Sequence, residues 1–245
     1  MSSHLKFFVG HLVISILIAL IIFGVVFFVW YPFPLFEAVG VIRIFLIVLM
    51  VDVIIGPFLG LLVYKKEKKN LKTDLSIIVF IQIIALSYGV YSIAQGRPIW
   101  IVFNQNKFEL IQMNNQFIEN HEKIPKKFQS ASWFGPHYTA IESSHKMRQR
   151  EDDLFMEVLG GISLAQRPER YVELSKVIQQ IKQEAQDLEN LEHYNNISSV
   201  RKVLNQYPKA TAYLPLKTTQ LDMVVLINKK EGNVIGIVNL RPWRN

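Results

Sequence analysis

Tyr64-Lys65-Lys66-Glu67-Lys68-Lys69-Asn70-Leu71-Lys72-Thr73-Asp74-Leu75 separates two strongly apolar stretches, one ending near Tyr64 and one starting near Leu75. A third apolar stretch fills roughly residues 7–30. Each is close to the ~20 residues an α-helix needs to cross a bilayer. Short cytoplasmic connections collect Lys and Arg, so Lys65, Lys66, Lys68, Lys69 and Lys72 also set the direction of crossing. The pattern predicts a membrane protein with three transmembrane helices, at about 7–30, 41–64 and 75–94, followed by an extracytoplasmic α+β domain with antiparallel strands.

With the lysine connection inside, the N-terminus is inside, residues 31–40 are outside, and residues 95–245 are outside. Lys6 agrees. Trp30 and Tyr31 close the first span with interfacial aromatics, and Tyr31-Pro32-Phe33-Pro34 resists helix continuation. The first apolar stretch is too long for a signal-peptide core and lacks a small-x-small cleavage site after Trp30, so it reads as an uncleaved anchor. The expected organisation is a transmembrane domain over 1–96 and an outer domain over 97–245. In a Gram-negative cell this means the inner membrane, with the N-terminus cytoplasmic and the C-terminal domain periplasmic.

The net charge of +7 divides between these parts. Residues 97–245 hold 20 Lys/Arg against 16 Asp/Glu, with no dense basic stripe, so no nucleic-acid partner is expected. The absence of cysteine excludes disulfides, thiolate metal sites and thiol nucleophiles.

In the outer domain, Ile99–Phe103 and Phe108–Gln112 read as strands joined by Asn104-Gln105-Asn106-Lys107, a hairpin signal. Residues 144–159 read as a helix, started by Ser143 or Ser144 and stopped at Gly160-Gly161. Pro168–His193 reads as one amphipathic helix. Leu174, Val177, Ile178, Ile181, Ala185, Leu188 and Leu191 repeat on one face at helical spacing. Ser198–Gln206 reads as a short helix with Ser198 as cap. Strands over 222–228 and 233–240 flank a second hairpin at Lys229-Lys230-Glu231-Gly232.

Asp52 lies near the middle of the second span, where an ionisable group costs at least ~2.5 kcal/mol on insertion scales. Gly56 and Gly60 follow at four and eight residues, sharing its face in a regular helix and forming a close-packing Gly-x-x-x-Gly pair. Pro57 removes a backbone hydrogen bond and kinks the helix. The third span offers a matching face of Gln82, Ala85, Gly89 and Ser92. A hydrogen bond from the Gln82 amide to Asp52 is the simplest way to satisfy both. The first span adds His11, Ser15 and Ala19. Three readings stand: a three-helix bundle joined by a buried polar pair, a face that docks a partner's transmembrane helix, or a proton or ion pathway, for which three short spans with one acid and no inverted repeat are poorly suited.

Elsewhere the chemistry is thin. The histidines are scattered and form no H-E-x-x-H motif. No nucleophile elbow or phosphate-cradling glycine loop occurs. Glu151-Asp152-Asp153 reads as a solvated helix face, with a weak cation site or an acidic glycosyltransferase-like motif as the sharper alternative. No catalytic residue, metal or cofactor is expected, and the chain reads as a non-enzyme. Trp133, Phe134, His137 and Tyr138 form the outer loop best suited to contact a protein or peptide, with burial in the core as the other reading.

Several of these residues carry a resemblance. Val51-Asp52, Gly56-Pro57, Lys69, Leu71, Asp74-Leu75, Gln82, Ala85-Leu86, Tyr88-Gly89 and Arg97-Pro98 make the chain similar to the type IV pilin accessory protein family (TfpX/TfpZ), densely over about 41–110. The resemblance implies an inner-membrane accessory protein for type IV pilus assembly. Its implied partner is the major pilin, whose apolar N-terminal helix lies in the same bilayer. The lipid bilayer is the second partner, and a homo-oligomer is a further possibility. The family supplies no agreed catalytic residues. The alternatives are a pilin-modifying, glycosylation-associated membrane enzyme and a periplasmic sensor acting through the lysine connection.

Overall fold

The computed structural model describes residues 3–64, 70–141 and 147–244. Lys65, Lys66, Lys68, Lys69, Ser143, Ser144 and His145 lie outside the described residues. The chain folds as two units. One comprises 1–36 with 40–96, and the other 97–245 together with Glu37–Val39.

The first unit holds three helices long and apolar enough to cross a membrane: Leu5–Trp30, Val41–Val63 and Leu71–Gln95. At about 1.5 Å per residue even the shortest spans more than the ~30 Å hydrocarbon layer. The third begins four residues before the expected start and draws in Lys72 and Asp74. Large apolar side chains such as Leu20, Ile21, Phe28, Ile54 and Phe80 point outward. Helices apolar all round are those that meet lipid rather than water. Two stretches have π-helical hydrogen bonding, Val25–Trp30 and Met50–Ile55. The buried Tyr31 hydroxyl donates to the Ile93 carbonyl at 2.6 Å, tying the end of the first span to the end of the third.

The second unit is an α+β domain on one sheet. Its strands are β1 (Pro98–Asn104), β2 (Lys107–Gln112), β3 (His137–Ile141), β4 (Tyr171–Val172), β5 (Gln186–Asp187), β6 (Ala212–Lys217), β7 (Met223–Asn228) and β8 (Asn233–Val238). The order is β4-β3-β1-β2-β6-β7-β8, with β5 paired to β6. Both expected hairpins form, β1/β2 and β7/β8, and Gly232 takes the positive φ that the second turn requires. The sheet is mixed rather than purely antiparallel, because β1 pairs β3 and β2 pairs β6 in parallel. Both parallel neighbours follow long excursions, as a parallel pairing requires.

Pro168–His193 is not one helix. It divides into 3-10 turns at Pro168–Arg170, Leu174–Val177 and Leu188–His193, one α-helix at Ile178–Glu184, and the strands β4 and β5. Sheet pairing overrides the helical pattern at two places. Tyr171 and Val172 pair with β3, and Gln186 and Asp187 pair with β6 after Ala185 turns extended. The apolar stripe still reaches the core, since Val177, Ile181, Ala185 and Leu191 are buried. The following helix is Ile197–Leu204, capped by the Asn196 side chain rather than by Ser198. The helix Met147–Val158 stops before Gly160-Gly161 as the sequence predicts, with Gly161 at positive φ.

Two core clusters hold the sheet. One gathers Trp100, Ile111, Phe128, Ile141 and Tyr171, with the Trp100, Phe128 and Tyr171 rings packed edge to face. The other gathers Leu191, Val200, Tyr213, Leu226 and Leu240.

Candidate functional site

The polar seam of the first unit begins at the π-helical turn. The Gly56 N–H bonds to the Val51 carbonyl, five residues back, instead of to Asp52. The next residue in that register is Pro57, which has no N–H to give. The Asp52 carbonyl is thereby left without a helical donor. The Gln82 side-chain amide fills the role, donating to the Asp52 main-chain oxygen at 3.4 Å. The expected pair therefore meets, but through the Asp52 backbone rather than its carboxyl group. Asp52 and Gln82 are both buried, and Asp52 Oδ2 and Gln82 Oε1 have no hydrogen-bond partner among the described residues. His11 Nδ1 of the first span likewise has none among the described residues.

The glycines act as seats for neighbouring side chains. A Cβ on Gly56 would fall 1.6 Å from Gln82 Nε2, so only glycine admits the amide there. A Cβ on Gly60 would stand 2.9 Å from the Phe7 ring and 3.5 Å from His11 Nδ1. On Gly89 it would stand 2.5 Å from Val48. Asp52 and Gly56 both meet Gln82, and Gly60 follows one turn on in the regular helix Gly56–Val63. Gly56 meets the third span and Gly60 the first. Pro57 is buried beside them.

Outside this seam, a groove of about 260 Å³ runs between the second and third spans. Ile47, Val48 and Asp52 line one wall, and Ala85, Tyr88 and Gly89 the other. A second groove of about 700 Å³ lies between the first and second spans, walled by Phe23, Phe27, Phe28, Phe33, Phe36 and Phe45. Sequence reading missed the aromatic groove. Its phenylalanines look like generic bilayer residues until Phe27 contacts both Phe36 and Phe45 across the turn between the helices.

In the second unit the outer aromatic loop separates into two pairs. Trp133 and Phe134 are exposed. Arg97 lies over the Trp133 ring, 4.4 Å from its centroid. His137 and Tyr138 start β3, the exposed His137 edge-on to Trp100 and the half-buried Tyr138 edge-on to Phe108. Burial pushes the Tyr138 hydroxyl up to about 12.

Two buried carboxylates of this unit are paired. Glu109 accepts from Asn104 at 2.8 Å and from Ser163 at 2.9 Å. Asp153, from the acidic run, turns inward onto Arg170 at 2.8 Å and Arg167 at 3.4 Å. Among the described residues no cluster of His, Asp and Glu is arranged to hold a metal ion.

Comparison with known proteins places this architecture. The sequence profile of fimbrial assembly protein FimB matches residues 1–40. The chain is 27% identical over 238 residues to the fimbrial assembly protein of Dichelobacter nodosus serogroup E1, covering 94% of this chain and 92% of that protein. It is 25% identical to the serogroup I protein over the same length. The protein of serogroups C1 and C2 is 32% identical over 111 residues, which span 85% of that relative and 44% of this chain. This chain belongs to the fimbrial assembly protein family. The alignments with the E1 and I proteins run through both units. No solved structure matches the chain.

Proposed function

We propose that this family member is a non-enzymatic accessory protein of type IV pilus assembly. It resides in the inner membrane with the N-terminus cytoplasmic and residues 97–245 periplasmic. Its action is chaperone-like: it binds the pilin by the apolar N-terminal helix within the bilayer and presents it for assembly. The observation that carries this reading is the groove between the second and third spans, where Ala85, Gly89 and Asp52 share one lipid-facing recess. In lipid, helices associate through small residues that let backbones approach and through polar groups that bond across, each such bond contributing about 0.6–2 kcal/mol. The groove offers both.

The proposed topology has internal support. The connection between the first two spans is part of the outer domain. The Ala38 carbonyl accepts from Thr218 Oγ1 at 2.9 Å and from the N–H groups of Gln220 and Leu221 at 3.1 and 3.2 Å. Asn239 holds Glu37 through their side chains. Three crossings put that connection and the domain on one side of the membrane.

The test is surface pilin and total cellular pilin, measured together in a deletion strain and its complement. The expected result is a loss of surface pilin with unchanged pilin mass. Altered pilin mass would instead favour a modifying enzyme. Normal amounts and mass of both pools would overturn the pilus reading.

A further inference from the structure

We infer that the aromatic groove between the first and second spans holds one phospholipid, with an acyl chain among the phenylalanines and the phosphate on Arg43. The groove measures about 700 Å³, the size of a small-molecule site. Every residue lining it is Phe, Pro, Ile or Leu, so it offers nothing to a polar ligand. Its walls are held by ring contacts. Phe27 packs edge to face on Phe36 at 5.5 Å and on Phe45 at 5.2 Å, and Phe23 lies 4.8 Å from Phe27. Phe28 and Phe33, which also line it, are 77% and 71% exposed, so the groove is continuous with the outward apolar surface of the spans. A partner's helix fits it poorly. Helices in lipid associate through small residues and polar bonds, and no Gly, Ala, Ser or Thr lines this groove. A flexible hydrocarbon chain needs neither.

Arg43 supplies the complementary charge. It lies in the first turn of the second span, directly after Ile42 and three residues before Leu46, both of which line the groove. Its side chain is exposed and has no ion-pair or hydrogen-bond partner among the described residues. The span Val41–Val63 has 23 residues. At about 1.5 Å per residue it is about 35 Å long, a little more than the ~30 Å hydrocarbon layer. Arg43 stands two residues, about 3 Å, inside its end, which is the boundary between acyl chains and headgroups. A charge at that depth calls for a partner, and the long arginine stem carries the guanidinium to the headgroups. A guanidinium holds a phosphate through two parallel N–H···O bonds. An apolar groove flanked by an unpaired cation at headgroup level matches the two ends of a phospholipid.

The inference does not rest on the pilin reading. The full-length chain, purified from native membranes in mild detergent, is weighed intact by native mass spectrometry. The expected spectrum shows one retained phospholipid per chain, lost in Arg43→Gln and in Leu46→Trp, whose larger side chain fills the groove. Both positions are exposed, so both variants should keep the helical circular dichroism of the wild type. Ile84→Trp, at an exposed position of the third span outside the groove, should retain the lipid. A wild-type chain without lipid, or retention in either groove variant, would overturn the inference. So would equal loss in Ile84→Trp. A second measurement needs no variant. A phospholipid with a photoreactive acyl chain, supplied in nanodiscs, should label mainly the peptides holding Phe23, Phe27 and Phe45. Even labelling of all three spans would overturn the inference as well.

Discussion

At the scale of single residues, the Asp52 turn shows how one missing N–H organises a site. Pro57 and the π-helical register free the Asp52 carbonyl, and Gln82 takes it over the bare Cα of Gly56. Gly56→Ala should displace the amide and destabilise the bundle by about 1–3 kcal/mol, the usual cost of overpacking. Gln82→Ala in the same chain should recover most of that loss. Thermal unfolding in nanodiscs measures both, and additive losses would contradict the seating of Gln82 on Gly56. Asp52 and Gln82 were legible from the sequence as a pair. The carbonyl contact was not, because a π-helical turn leaves no compositional mark. A second expectation concerns tyrosines. Burial pushes Tyr138 and Tyr213 up to about 12, above the usual value of 10.0. The folded state holds these protons more tightly, so the stability they contribute is complete below about pH 10 and is lost as pH rises toward 12. Phenolate absorbance and sheet circular dichroism should change together in that window. Full ionisation with the sheet intact would count against their burial.

At the scale of elements, the domain is stitched at points that periodicity does not reveal. Asp153 sits between Arg170 and Arg167 with all three side chains largely buried. Removing one partner of a buried pair leaves a charge uncompensated. Arg170→Ala should cost about 3 kcal/mol in denaturant unfolding, whereas breaking the exposed Lys127–Glu173 pair should cost less than about 1 kcal/mol. Equal costs would contradict the burial argument. The same non-local logic explains what the sequence hid. The Pro168–His193 stripe reads as one helix because its apolar spacing is helical, yet β4 and β5 are cut from it by pairing with β3 and β6. Strand β6 escaped notice because Pro215 lies inside it. That proline stands where β6 changes neighbour, from β5 at Ala212–Tyr213 to β2 at Leu216–Lys217. The hairpins were legible because their turns are local, and the spans because length and hydropathy suffice. Strand order was not, since it depends on which distant edges meet.

At the scale of the whole molecule, one fimbrial assembly protein joins a bundle of membrane-length apolar helices to an α+β domain. The membrane unit contributes a groove with small walls and a buried carboxyl group, and the domain includes the connection between the first two spans. Thr218→Val removes one of the hydrogen bonds to Ala38 and should lower domain stability by about 0.5–1.5 kcal/mol. Thermal unfolding of the full chain would register it, and no change would show that the threonine bond adds nothing to the backbone bonds beside it. The central claim is that pilin lies in the groove between the second and third spans. It is tested most directly by photocrosslinkers at Ile47 and Tyr88 on the groove walls, with Ile21 on the first span as comparison, in cells making pili. The account predicts pilin adducts at Ile47 and Tyr88 and none at Ile21. Folded protein that yields no pilin adduct at either groove position would contradict it.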